Sequence, residues 1–98
     1  MPAVGGVSHV QTKPEITSSA QTILNDVNLG RHVLIQNNHA SGNLYIQLSG
    51  TATVDDGLFK IVPGNYLDFR DTKNGFSIIG DVASNTKVAM LIGNWRED

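Results

Sequence analysis

Cysteine is absent from this 98-residue sequence, which removes a disulfide framework, a thiolate zinc site and a cysteine nucleophile from consideration. Proline occurs three times and tryptophan once, and only 16% of the residues are charged. The seven basic residues are scattered singly and the formal charge is −2, so the basic stripe of a nucleic-acid-binding module is missing. No apolar run approaches the roughly 20 residues that span a bilayer; residues 87–93 (KVAMLIG) are among the longest. The first residues, MPAVGGVSHVQTKPE, lack the basic region and apolar run of a signal peptide, so cytoplasmic synthesis is expected.

What is present suits one small globule. The 40% hydrophobic share is too high for a disordered chain, and the length leaves room for a single thin core. Composition divides the chain in two. Residues 1–20 hold Pro2, Pro14 and the Gly5-Gly6 pair among sparse apolar residues, and are expected to form an extended N-terminal arm. Residues 21–98 form the body, where short apolar runs alternate with turn residues.

Those runs predict strands. Residues 44–48 alternate Leu44, Ile46 and Leu48 with Tyr45 and Gln47, the period of two of a half-buried strand. Residues 31–36 (RHVLIQ) are continuously apolar in the middle, which predicts a central strand buried on both faces. Further strands are expected at 21–29, 51–54, 58–62, 66–69, 76–79 and 87–92. Pro63-Gly64 signals a type II turn, and Asp55-Asp56-Gly57 and Asn74-Gly75 signal hairpins. No window shows helical periodicity. The expected fold is all-β: a small antiparallel β-sandwich, jelly-roll-like, with an extended arm.

Candidate chemistry is thin. His9, His32 and His39 lack metal-ligand spacing and fall in an arm, a strand and a loop. Asp55-Asp56-Gly57 lacks the remaining ligands of a calcium loop and reads as a polar turn. No nucleophile elbow and no phosphate-cradling glycine loop occurs, and Ser49 and Ser77 have no evident base. A non-enzymatic protein without cofactor or metal is expected. Tyr45, Tyr66 and Trp95 can form a sugar-stacking face, or they can rim the core and anchor a subunit contact.

One phrase carries a resemblance. Gly30-Arg31-His32-Val33-Leu34-Ile35-Gln36-Asn37 is followed by a polar loop, Leu44-Tyr45-Ile46, the 58–62 run, Pro63-Gly64 and Phe76-Ser77-Ile78-Ile79. Over residues 21–93 this order resembles the small β-sandwich proteins of tailed-bacteriophage virions, among them head decoration (cement) proteins and fibre-associated domains. The resemblance implies a capsid decoration protein on the virion surface, a homotrimer that binds the major capsid protein and clamps neighbouring capsid subunits, with no nucleic-acid or membrane partner. The arm fits such a clamp: Val4, Val7, Val10 and Ile16 can lie in a partner's grooves or add a strand to its sheet, with Tyr45 and Trp95 as further contacts. Two other readings are a fibre- or tail-associated domain that binds host glycan, and a free-standing carbohydrate-binding sandwich. Independently of any family, Gln36 and Asn37 are expected to cap the end of their strand by bonding loop backbone.

Overall fold

The computed structural model describes residues 8–23, 31–70 and 76–94. Ten strands and no helix occur among them. They are β1 (Ser8–Thr12), β2 (Ile16–Thr17), β3 (Gln21–Ile23), β4 (Arg31–Asn37), β5 (Leu44–Gln47), β6 (Phe59–Ile61), β7 (Tyr66–Arg70), β8 (Phe76–Gly80), β9 (Ser84–Asn85) and β10 (Val88–Asn94). Eight of these build two four-stranded antiparallel sheets. Sheet I runs β1-β10-β4-β7 and sheet II runs β3-β8-β5-β6, while β2 and β9 form a small two-stranded ribbon. Without the ribbon, strands one, eight, three and six share one sheet and two, seven, four and five the other. That is the order of a long hairpin rolled up on itself, a jelly roll.

Alternation explains the core. Val33 and Ile35 from β4 and Val88 and Met90 from β10 face inward from sheet I. They meet Leu44 and Ile46 from β5, Ile61 from β6, and Phe76 and Ile78 from β8. Each of these side chains stands one or three positions from an outward neighbour, as the pleat requires. The central place expected for the 31–36 run is observed, since β10 and β7 flank β4. Its burial on both faces is not: Gln36 is exposed and His32 and Leu34 are half-buried on the outer side of sheet I. The 51–54 strand does not form either; these residues belong to a loop.

The expected division at residue 20 does not coincide with a packing boundary. β1 pairs with β10 through a register running from Ser8↔Asn94 to Thr12↔Met90. Ile16 is fully buried within the main core cluster. Burying one such side chain stabilises by about 1.5–3 kcal/mol, enough to draw a sparse segment onto the body. Val10, expected as a partner contact, pairs with Ile92 at the backbone, and the Ile16 side chain is buried in the core and presents nothing to a partner. Val4, Val7 and Trp95 lie outside the described residues.

The Pro63-Gly64 turn follows the sequence, the Asp55-Asp56-Gly57 turn leads from a loop rather than a strand into β6, and Asn74-Gly75 lies outside the described residues. Gly64 has φ 87°, and the Asn65 N–H donates to the Val62 carbonyl at 3.0 Å, closing the turn around Pro63-Gly64. Asp55 accepts from the Leu58 N–H at 3.0 Å through its carbonyl and from the Gly57 N–H at 2.8 Å through its carboxylate.

Candidate functional site

The two ends of the sandwich differ in chemistry. At one end β4 finishes in Asn37, which is fully buried. Its Nδ2 donates to the Gly42 carbonyl at 2.7 Å and the Ile61 carbonyl at 2.9 Å. Its Oδ1 accepts from the His39 N–H at 3.2 Å and from Nδ2 of buried Asn85 at 3.1 Å. Both amide hydrogens and both lone pairs are therefore used. The Asn37 backbone adds a donation to the Asn65 carbonyl and an acceptance from the Gly64 N–H. The capping role expected of Asn37 is thus observed, and it extends across four segments of chain. Gln36 does not share it, being exposed on the outer side.

Neighbouring polar groups tie the same end. His39 Nδ1 accepts from the Ser41 and Gly42 N–H groups at 3.0 and 2.7 Å, which requires the proton on Nε2. Asn43 donates to both oxygens of Asp81, each at 2.8 Å. His32 stands apart, on the outer side of sheet I, with Nε2 2.6 Å from the Asp68 carboxylate of the adjacent strand β7. No group of three metal-ligating side chains is gathered among the described residues.

Of the two readings of the aromatics, the sugar-stacking one fails for Tyr45 and Tyr66, which are not drawn together, and Trp95 lies outside the described residues. Tyr45 does point away from Leu44 and Ile46, as its alternation demanded, but it is only 4% exposed. The loop between β5 and β6 folds back over it: Ala52 and Leu58 pack against Tyr45 and Ile79, and the Ala52 N–H donates to the Ser77 hydroxyl at 2.9 Å. Lys60 Nζ closes the side, 5.8 Å from the centre of the Tyr45 ring. The Asp56 carboxylate accepts a hydrogen bond from Lys60 Nζ at 3.3 Å and holds its ammonium above the ordinary value near 10.5. Tyr66 is exposed, but on the outer side of sheet I, beside Gln36. The two tyrosines therefore face opposite sides, and no sugar can stack on both.

At the other end, apolar side chains meet solvent. Phe59 is 57% exposed and Leu48 44%. With Ile46, Gln47, Gly57 and Leu58 they line a hollow of about 320 Å³ beside β6. That strand pairs with β5 and has no further strand beside it among the described residues. Nothing in the period-two reading marked Phe59 as exposed. It shares the face of sheet II with its register partner Ile46, which is fully buried, yet stays exposed itself. A second, shallower depression of about 200 Å³ lies on sheet I, lined by Gln11, Leu34, Gln36, Ala89, Met90 and Leu91.

The sequence matches no family model and no curated protein. The fold is similar to that of a solved protein of the Bacillus endospore appendages, which form a family of disulfide-linked pili. The likeness has a TM-score of 0.64 at 11% identity and covers 97% of this chain and 90% of that one, so the two share a small all-β fold.

Proposed function

We propose that this chain is a non-enzymatic structural subunit that works as one of many copies in a larger protein assembly. The observation that carries the reading is the exposure of Leu48 and Phe59 in a hollow beside β6, which has no further strand beside it among the described residues. An edge strand offers unpaired backbone groups to another chain, and an apolar pocket beside it supplies side-chain selectivity. Among the described residues, His32, Asp55, Asp68 and Asp81 are engaged in turns and cross-strand ties, which suits a structural role. Within this reading the virion surface is the setting implied by the strand phrase at 30–37, where the chain would decorate a capsid as a trimer. A filament is the second setting, favoured by the fold shared with a pilus-family protein. Its subunits here would associate without disulfides, since the sequence has no cysteine.

Light scattering across a concentration series, with negative-stain images of the same samples, tests the proposal. A discrete trimer supports decoration, and open-ended polymers support the filament. A chain that keeps the mass of one copy, 10.5 kDa, at every concentration overturns both.

A further inference from the structure

We infer that the outer face of sheet I joins two copies of this chain face to face about a two-fold axis, with Tyr66 of each copy seated in the depression at Ala89 of the other. The inference rests on the structural-subunit reading and concerns a different surface from the hollow beside β6.

One row of the sheet carries it. Ala89 on β10 is registered with Gln36 on β4, and Gln36 with Tyr66 on β7. Tyr66 is 65% exposed and projects from the face. Ala89 is short among longer neighbours, and the depression of about 200 Å³ opens there, between Leu34, Leu91, Gln11 and Gln36. A cavity of about 150 Å³ lined by aliphatic side chains holds a benzene ring, so this one has room for a phenol ring. The two glutamines at its rim offer amides to the phenol hydroxyl, the partner that a buried tyrosine needs. Projecting ring and socket thus share one row, two strand spacings or about 9.6 Å apart, with Gln36 midway.

Symmetry supplies the partner. A two-fold axis lying in the interface, parallel to the strands and above Gln36, brings each Tyr66 over the other copy's Ala89. The same rotation sets Gln36 against its own equivalent, and a primary amide, both donor and acceptor, bonds to its own kind. In the next row Asp68 is the only charged side chain, beside Leu34, Leu91 and Gln11. It is held by His32 Nε2 at 2.6 Å, and the axis turns it towards the second copy's Leu91 rather than a second carboxylate. The outer side of sheet II offers no such face, because the loop between β5 and β6 lies over Tyr45, and Lys60 and Asp56 add charge. An isologous contact is used up when two copies meet, so this one supplies the paired unit from which a second surface builds further.

Charge exchange at the axis tests the contact. Gln36→Lys and Gln36→Asp each set like charges face to face on an exposed position. Each alone is expected to at least halve the mass that light scattering gives for the parent chain at high concentration, and so is Tyr66→Ala. Mixed in equal amounts, the two Gln36 variants face opposite charges and are expected to regain the parent mass. The inference is overturned if any of the three variants keeps the parent mass, or if the mixture stays as light as its components. An assembling parent then leaves the structural-subunit reading standing on another surface. Tyr66→Ala that keeps the parent mass but loses binding to immobilised glycans assigns the face to a sugar instead. A parent chain of 10.5 kDa at every concentration overturns that reading and this contact together. Matching circular dichroism spectra establish that the variants are folded.

Discussion

Among the described residues, one end of this sandwich is tied by polar bonds and the other side presents apolar side chains to solvent. At the closed end Asn37 satisfies groups from residues 39, 42, 61 and 85 at once. At the other side Phe59 and Leu48 are about half exposed. The contrast separates two uses of sequence. The closed end specifies one structure, because a buried polar cluster is costly unless every member is matched. The apolar side gives little to stability and leaves surface for something else to cover.

Substitutions can break or sharpen that contrast. The largest effect is expected for Asn37→Leu, which leaves two carbonyls, one N–H and the Asn85 amide without their partner. At about 1–3 kcal/mol per unsatisfied buried group, a loss of about 3 kcal/mol or more is expected in urea unfolding. An Asn37→Leu protein as stable as its parent would remove the basis for distinguishing the ends. Next comes Gly64→Val, in the turn that donates to Asn37. No atom lies within 4 Å of the added Cβ, so the cost comes from φ 87° alone, about 1–2 kcal/mol by the same measurement.

On the apolar side Leu48→Ser is expected to change stability by no more than about 0.5 kcal/mol, the range of surface substitutions. A larger drop would show that the hollow supports the fold. The smallest effect belongs to Lys60. Asp56 raises the Lys60 ammonium above its ordinary value in the folded state, so the pair stabilises at lower pH. That contribution fades as pH rises through the raised value, above about 10.5. The Tm difference between the parent and Lys60→Met should therefore shrink in that range; a constant difference would assign the effect to the side-chain stem.

Much of the fold was legible because its signals are local. The alternation at 44–48, the run at 31–36 and the Pro63-Gly64 turn each declare themselves within a few residues. The closed end was half legible: Asn37 reads as a strand cap, but Asn85, its partner 48 positions away, carries no local mark. Ile16 misled for the same reason, since one apolar residue among prolines and serines gives no period and only the tertiary core makes use of it. Tyr45 shows the limit most clearly. Alternation assigned its side correctly, whereas the loop that covers it is held by the Ala52–Ser77 bond, which spans 25 positions. Direction is a property of neighbours and exposure is a property of the whole chain.

The pairing of β1 with β10 bears on how the molecule forms. These strands lie near opposite ends of the sequence, and β10 sits between β1 and β4, so sheet I is split until it arrives. Loop closure over such a separation delays the rewarding contacts, which places folding in the slow, millisecond-to-second class of non-local β proteins. A ribosome must release β10 before β1 finds its place. Until then β1 and β4 hold exposed edges, and a chaperone or a neighbouring nascent copy has time to meet them.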